Sequence, residues 1–155
     1  MNKLRILLLV SIVFILRSTA QNQLPIENGQ LEEVDTNNNF LQWTNQANNG
    51  GEAIFSIETT DLITGSSKAL KSEIIALGSN NYDVNTKSNY HFQVTAGEKY
   101  TVSFYAKIEG ASSRQLKVVF RSETSDSFQG QDIWITDTWQ RYSHTFTAPI
   151  SSNLN

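Results

Sequence analysis

The residues of this chain best suited to binding a ligand are aromatic side chains placed beside amides and carboxylates. Tyr82-Asp83-Val84-Asn85 forms one such group, Phe128-Gln129 in a polar, loop-like stretch forms another, and Trp134 is a weaker third candidate. Aromatic rings stack on the apolar C–H faces of sugars, while amides and carboxylates at the ring edge bind the hydroxyls. The pattern indicates a carbohydrate site. The alternative is that Tyr82 and Phe128 only cover the ends of the fold.

The sequence lacks the residue patterns of known catalytic centres. His91 and His144 are the only histidines and there is no cysteine, which excludes a thiolate metal site and a cysteine nucleophile. No nucleophile elbow and no glycine-rich phosphate loop occurs. The adjacent carboxylates of Glu32-Glu33 would point to opposite faces of a strand, so they do not indicate a glycosidase pair. We therefore predict that the chain is not an enzyme, and that His144 is a hydrogen-bonded core residue.

Residues 1–20 have the composition of an export signal. Lys3 and Arg5 precede the 11-residue apolar run Ile6–Leu16, and Ser18-Thr19-Ala20 supplies small residues before a cleavage position. An 11-residue run is too short to span a bilayer as a helix but suits a signal peptide. We expect a secreted mature domain, residues 21–155. The alternatives are an uncleaved anchor and a buried N-terminal helix.

Charge and composition restrict the partners of this mature domain. Loss of residues 1–20 removes 3 of the 12 basic residues and none of the 15 acidic ones, leaving a net charge of −6. This balance argues against nucleic-acid binding and against anionic membrane surfaces, and it does not oppose a neutral ligand. A length of 135 residues predicts one domain, and we expect a monomer.

Apolar and polar residues alternate with a period of two along most of the mature domain, which predicts an all-β fold. Tyr100, Val102, Phe104 and Ala106 share one face of the clearest strand, and more polar residues occupy the other. The predicted strands are 53–58, 69–76, 90–94, 100–107, 115–121, 133–136 and 139–147, separated by turn sequences rich in Gly, Ser and Asn. Many short strands at even spacing are typical of a β-sandwich. Because only six residues follow Pro149, we expect the last strand of such a sandwich to be missing.

The mature sequence resembles carbohydrate-binding modules of families four, nine and twenty-two, which accompany secreted xylanases and other β-glycan hydrolases. The resemblance extends from about Leu24 to Pro149. Its motifs are Asn28-Gly29-Gln30-Leu31-Glu32, Trp43, the Gly65–Lys71 segment, Tyr82–Asn85, Thr95–Lys107 and Thr138–Tyr142.

The resemblance implies a jelly-roll sandwich that binds xylan or a related β-glucan without cleaving it and so targets an attached hydrolase. Tyr82 would be the stacking platform in place of the usual tryptophan, with Asn85 as a hydroxyl partner. Phe128 would be the opposing aromatic, with Gln129 beside it. Glu32 would be one ligand of a structural calcium, which needs several further oxygen ligands. Because a fold does not determine function, a cell-surface or adhesion domain making protein contacts remains the alternative.

Overall fold

A computed structural model describes residues 6–17, 23–24, 26–122, 125–149 and 151–154 of the chain. Side chains are described for residues 26–121, 130–149, 151 and 154. The described part is all-β, as predicted, and contains no helix. It follows that no described helix is long and apolar enough to cross a membrane.

Twelve strands make up the described part of the chain. They are β1 (Ile6–Arg17), β2 (Gln23–Leu24), β3 (Trp43–Ala47), β4 (Glu52–Glu58), β5 (Ala69–Ala76), β6 (Val84–Ser88), β7 (Phe92–Val94), β8 (Lys99–Glu109), β9 (Ser113–Ser122), β10 (Ser125–Thr136), β11 (Gln140–Thr147) and β12 (Ser152–Leu154).

These strands form three antiparallel sheets. The largest has the order β11-β8-β1-β5-β4, with β2 paired to β1. A four-stranded sheet has the order β10-β9-β12-β7, and β3 and β6 form a two-stranded ribbon. All of the pairings are antiparallel.

The main core lies between the two larger sheets. Phe120 of β9 contacts Phe146 of β11 with ring centroids 4.3 Å apart, and Phe92 meets Phe120 edge-on at 6.3 Å. Further along the sandwich, Phe104 of β8 is clustered with Ile135 of β10. These contacts join the apolar face of β8 to the four-stranded sheet, which gives the fold its sandwich-like layering.

The predicted strand bounds are closest to the structure where alternation is strongest. The strand predicted at 69–76 coincides with β5, and that predicted at 100–107 is extended by β8 to Lys99–Glu109. The prediction for β10 was too short, because this strand pairs with β9 from Ser125 onwards. Phe128 and Gln129 therefore lie in a strand, and the prediction that they belong to a loop is wrong. The sequence analysis does not predict β3 and β6. It also does not predict β12, a short strand after Pro149 that pairs with β7 and β9 in the four-stranded sheet.

The face of β8 that carries Ser103 and Lys107 is more buried than the polar character of its residues predicts. Lys107 is only 7% exposed, and Ser103 is fully buried. The Lys107 ammonium forms a close ion pair with Asp61 and lies 3.5 Å from Glu109, while the Trp139 indole donates a 3.0 Å hydrogen bond to Asp61. The loop between β4 and β5 thus crosses the outside of the large sheet and is tied there to β8.

The Asn28–Glu32 segment is a structural turn. The Asn28 side chain accepts hydrogen bonds from the backbone amides of Glu32 and Glu33, at 3.0 and 2.9 Å. It also donates to the carbonyls of Glu33 and Leu41, at 2.7 and 2.8 Å. The Trp43 indole donates to the Asn28 carbonyl at 3.0 Å. Asn28 is thus the residue that organises this turn.

Candidate functional site

Trp134 is the most exposed aromatic residue on a regular strand of the described structure. It lies on β10 and is 63% exposed, whereas its neighbour Ile135 is completely buried. Successive side chains of a strand point to opposite faces, so Trp134 lies on the outer face of the four-stranded sheet. A tryptophan this exposed gains little from the core, and its ring is accessible to a ligand.

Polar groups surround Trp134 on the outer face. The strand register sets Gln115 of β9 directly opposite Trp134, and Lys117 opposite Asp132. The Lys117 ammonium lies 3.9 Å from the Asp132 carboxylate, and both side chains are well exposed. A pair this exposed adds little stability, which leaves its donors and acceptors available to solvent or a ligand.

Two more residues, Gly130 and Val119, extend the same outer face of β10 and β9. Gly130 stands opposite Val119, which is also exposed. From residue 130 to residue 134 the strand advances about 13 Å, at roughly 3.3 Å per residue. We call the outer face formed by Trp134, Gln115, Asp132, Lys117 and Val119 the tryptophan strip. It combines an aromatic platform with an amide, a carboxylate and an ammonium.

Tyr82 is the second exposed aromatic and lies in the loop between β5 and β6. It is 61% exposed, while the next residue, Asp83, is 1% exposed. Asn85 donates a 2.8 Å hydrogen bond from its side-chain amide to the Tyr82 carbonyl. One donor of the predicted hydroxyl partner is thus used in fixing the loop, and the Tyr82 ring points to solvent.

Asp83 anchors the loop that presents Tyr82. Its carboxylate accepts hydrogen bonds from the Asn49 side-chain amide at 2.8 Å and from the Asn80 backbone amide at 2.6 Å. The Asp83 carbonyl accepts a further bond from the Asn48 amide at 2.9 Å. Chiefly through the Asn49 bond, this environment lowers the pKa of Asp83. The Tyr82–Asn85 motif therefore contains a buried structural acid beside an exposed aromatic.

The structure places the predicted carbohydrate-binding residues on different elements. Tyr82 lies in the loop before β6 of the two-stranded ribbon, whereas Trp134 lies on β10, at one edge of the four-stranded sheet. The side chains of Phe128 and Gln129 lie outside the described residues; the backbone register sets Gln129 opposite the buried Phe120. Tyr82 and Trp134 are thus exposed aromatics on different elements, and the register of β9 with β10 sets an amide, an ammonium and a carboxylate on the same face as Trp134.

Glu32 does not fit a calcium shell in the described structure. Its carboxylate accepts hydrogen bonds from the amide and the hydroxyl of Ser67, and the Lys68 ammonium lies 3.9 Å away. Burial opposes ionisation of Glu32, but these bonds and the Lys68 charge outweigh it, and the pKa of Glu32 is lowered. Among the described residues, no group of three or more His, Cys, Asp or Glu side chains is arranged to hold a metal ion. Here Glu32 ties the first turn to the segment before β5.

His144 packs among aromatic residues, but the predicted hydrogen bond is not seen. Its ring lies 6.0 Å from that of Phe120 and 6.1 Å from that of Phe146. The buried Nε2 atom has no hydrogen-bond partner within the described part of the chain. Loss of hydration lowers the pKa of His144, which favours the neutral ring. This environment suits a packing residue.

Comparison of the chain with family models, with curated proteins and with solved structures finds no match. The resemblance to carbohydrate-binding modules therefore depends on the sequence motifs themselves.

Proposed function

We propose that this chain is an exported, non-catalytic domain that binds a β-glycan such as xylan or β-glucan through its exposed aromatics. The observation that carries the proposal is Trp134, exposed on the outer face of a sheet and flanked by Gln115 and by the Lys117–Asp132 pair. The indole would stack on a sugar face, and the flanking groups would bind hydroxyls at its edges.

Further support comes from the order of the sequence motifs, which is that of a jelly-roll carbohydrate-binding module. In this proposal Tyr82 is a second stacking residue, and the signal sequence exports the domain as part of a polysaccharide-degrading protein. A monomer suffices, because a sheet face or loop aromatic binds a glycan without a partner subunit.

The proposal is tested with the purified protein on a panel of soluble polysaccharides. Affinity electrophoresis in gels containing xylan, mixed-linkage β-glucan or a non-β-glycan control should show retardation by at least one β-glycan. A reducing-sugar assay on the same polysaccharides should show no release. Equal mobility in all gels would end the glycan-binding proposal, and sugar release would end the non-enzymatic one.

A specific surface favours protein contacts as the second candidate function. Ile54 of β4, Ile75 of β5 and Leu77 just beyond it are all more than half exposed. Exposed aliphatic groups near the edge of a sheet suit a protein surface better than a sugar. Exchange of Ile54 and Leu77 for serine separates the two candidates: it should abolish adhesion to a protein ligand and leave glycan retardation unchanged.

A further inference from the structure

The segment expected to be an export signal also occupies a central position in the large sheet. β1 lies between β5 and β8 and is antiparallel to both. The pairing of β1 with β5 runs from Ile6 opposite Ile74 to Val10 opposite Leu70. The pairing of β1 with β8 runs from Leu7 opposite Glu109 to Arg17 opposite Tyr100, with one irregularity between Ile12 and Ile15. An apolar, β-branched run suits a strand with neighbours on both sides.

Removal of β1 would leave a gap that the neighbouring strands cannot readily close. Adjacent strands lie about 4.8 Å apart, so β5 and β8 are separated by roughly twice that distance. Because each is antiparallel to β1, β5 and β8 run parallel to each other. Direct pairing would require a shift of about 5 Å and a change of ladder type. Without it, one row of backbone donors and acceptors on each strand loses its partners.

Contacts independent of β1 hold the two sides of this gap in place. Asp61, from the loop between β4 and β5, pairs with Lys107 of β8 and accepts a hydrogen bond from Trp139 just before β11. Leu62 of the same loop and Trp139 both pack against Ala69 at the start of β5. The β4–β5 pair is thus connected to β8 and β11 across the outside of the sheet.

The register of β1 with β5 and β8 indicates which residue types fit each position of a strand in this gap. Position 10 stands opposite Leu70 and Ala106, which are both buried. Position 9 stands opposite Lys71 and Lys107. A one-residue step exchanges the faces of a strand, so position 10 requires an apolar residue while position 9 tolerates a carboxylate.

We propose that the position between β5 and β8 is a strand-acceptor site, separable from the rest of the fold. Its occupant is the apolar segment Ile6–Arg17, which remains bound without a covalent link when the chain is cut behind Ala20. The inference depends on the pairing of β1 and not on glycan binding, so either proposal can fail while the other stands.

The test uses the full chain with a protease recognition sequence in place of Ser18-Thr19-Ala20. After folding and cutting, the N-terminal fragment should co-elute with residues 21–155 in gel filtration. The melting temperature should rise with total protein concentration, because a bound fragment stabilises the fold by mass action. Release of the fragment with an unchanged melting temperature would overturn the proposal, as would cut protein that dimerises, since a second copy would then fill the gap.

Leu9→Glu and Val10→Glu are matched variants of this test. They introduce the same charge one residue apart, on opposite faces of β1. Leu9→Glu should keep the fragment bound, whereas Val10→Glu should weaken retention at least about a hundredfold, because its register position is opposite the buried apolar residues Leu70 and Ala106. If Val10→Glu does not fold before cutting, Val10→Thr replaces it, and weaker retention is again expected. Equal retention of the position 9 and position 10 variants would exclude this register.

Discussion

Asn49 and Asp83 are joined by a 2.8 Å hydrogen bond that links two loops: the turn between β3 and β4 and the loop between β5 and β6. The bond runs from the Asn49 side-chain amide to a carboxylate that is almost fully buried. Because Tyr82 is the residue next to Asp83, the same bond fixes the backbone that presents an exposed aromatic ring. The loop site thus depends on a buried acid, and its stability is sensitive to pH and to local packing.

Acid should destabilise the fold through Asp83. Its folded pKa lies below the ordinary value of 3.8, so between those two values the unfolded chain binds more protons than the folded one. The stability contributed by Asp83 is full above that ordinary value and is lost as the pH falls through the folded pKa. Asp83→Asn should melt several degrees lower than the wild type at neutral pH and lose less stability on acidification, as measured by thermal melts from pH 7 to pH 2.5. Asp137→Asn, at an exposed turn, is the control and should follow the wild-type profile.

Gly78 should not tolerate a side chain, because of the same carboxylate. A Cβ at this position would lie 2.8 Å from Asp83 Cγ and overlap the Asp83 Cβ. Gly78→Ala should cost about 1–3 kcal/mol in the free energy of unfolding, as expected for overpacking. In the control Gly130→Ala, the new Cβ would lie 3.3 Å from Cε of the flexible Lys117 side chain and at an ordinary contact distance of 3.8 Å from Val118 O and Val119 Cγ2. Urea denaturation should show a loss for Gly78→Ala and little change for the control; equal losses would show that the loop adapts.

Removal of Asp61 alone should cost more stability than neutral replacement of both members of the Lys107–Asp61 pair. Asp61→Ala removes the closest partner of the buried Lys107 ammonium and should cost about 1–3 kcal/mol, because Glu109 remains 3.5 Å from that ammonium. In the double variant Asp61→Asn with Lys107→Met, the asparagine oxygen still accepts from the Trp139 indole and no buried charge remains. We expect the double variant to be more stable than Asp61→Ala in urea denaturation. A smaller loss for Asp61→Ala than for the double variant would mean that solvent reaches Lys107.

His144 should make stability fall as the solution is acidified below neutrality. Its folded pKa lies below the ordinary value of 6.5, so the unfolded chain binds more protons between the two values. Stability should therefore decrease as the pH falls through 6.5 and level off below the folded pKa. His144→Phe keeps a ring beside Phe120 and should abolish this decrease in melts between pH 8 and pH 5. His91→Asn, at the other histidine, should retain it.

The sequence predicts the core strands well because their alternation reflects a buried face. β5 and the apolar face of β8 follow directly from this signal. The burial of Lys107 could not be predicted, because Asp61 and Trp139 are brought over it only by the folded loop. β3 and β6 were missed because their pairing carries Asn, Gln and Thr, including a 2.7 Å hydrogen bond from Thr86 to Asn45.

The candidate site was only partly predictable for a similar reason. Ile133 and Ile135 on either side of Trp134 already indicate that the tryptophan faces away from the core. Its neighbours Gln115 and Lys117 depend on the register of β9 with β10, which the sequence does not specify locally. Conversely, the Tyr82–Asn85 motif includes Asp83, whose structural role depends on Asn49 and Asn80 and is not indicated by the motif itself.

Substitution of the two exposed aromatics should separate glycan affinity from stability. Each stacking contact is expected to contribute about 1–2 kcal/mol, or roughly five- to thirtyfold in affinity. Trp134→Ala should therefore reduce affinity for the best β-glycan of the panel by about that factor, with a melting temperature close to the wild type. Ile54→Ala, at an exposed position of the other large sheet and outside the tryptophan strip, should change neither quantity. Core truncation behaves differently, and Phe104→Ala should cost about 3–5 kcal/mol of stability.

The contribution of Tyr82 follows from the same comparison. Tyr82→Ala should weaken binding with little effect on folding, and Tyr82→Trp should strengthen it by enlarging the platform. Isothermal titration with a β-glycan oligosaccharide measures both variants against Trp134→Ala and the double variant. Losses that add in free energy indicate two independent stacking positions, as expected for a loop residue and a strand residue that share no described contact. If both single variants bind like the wild type, neither aromatic belongs to the glycan site. The exposed aliphatic surface of Ile54, Ile75 and Leu77 then becomes the better candidate for the function of this domain.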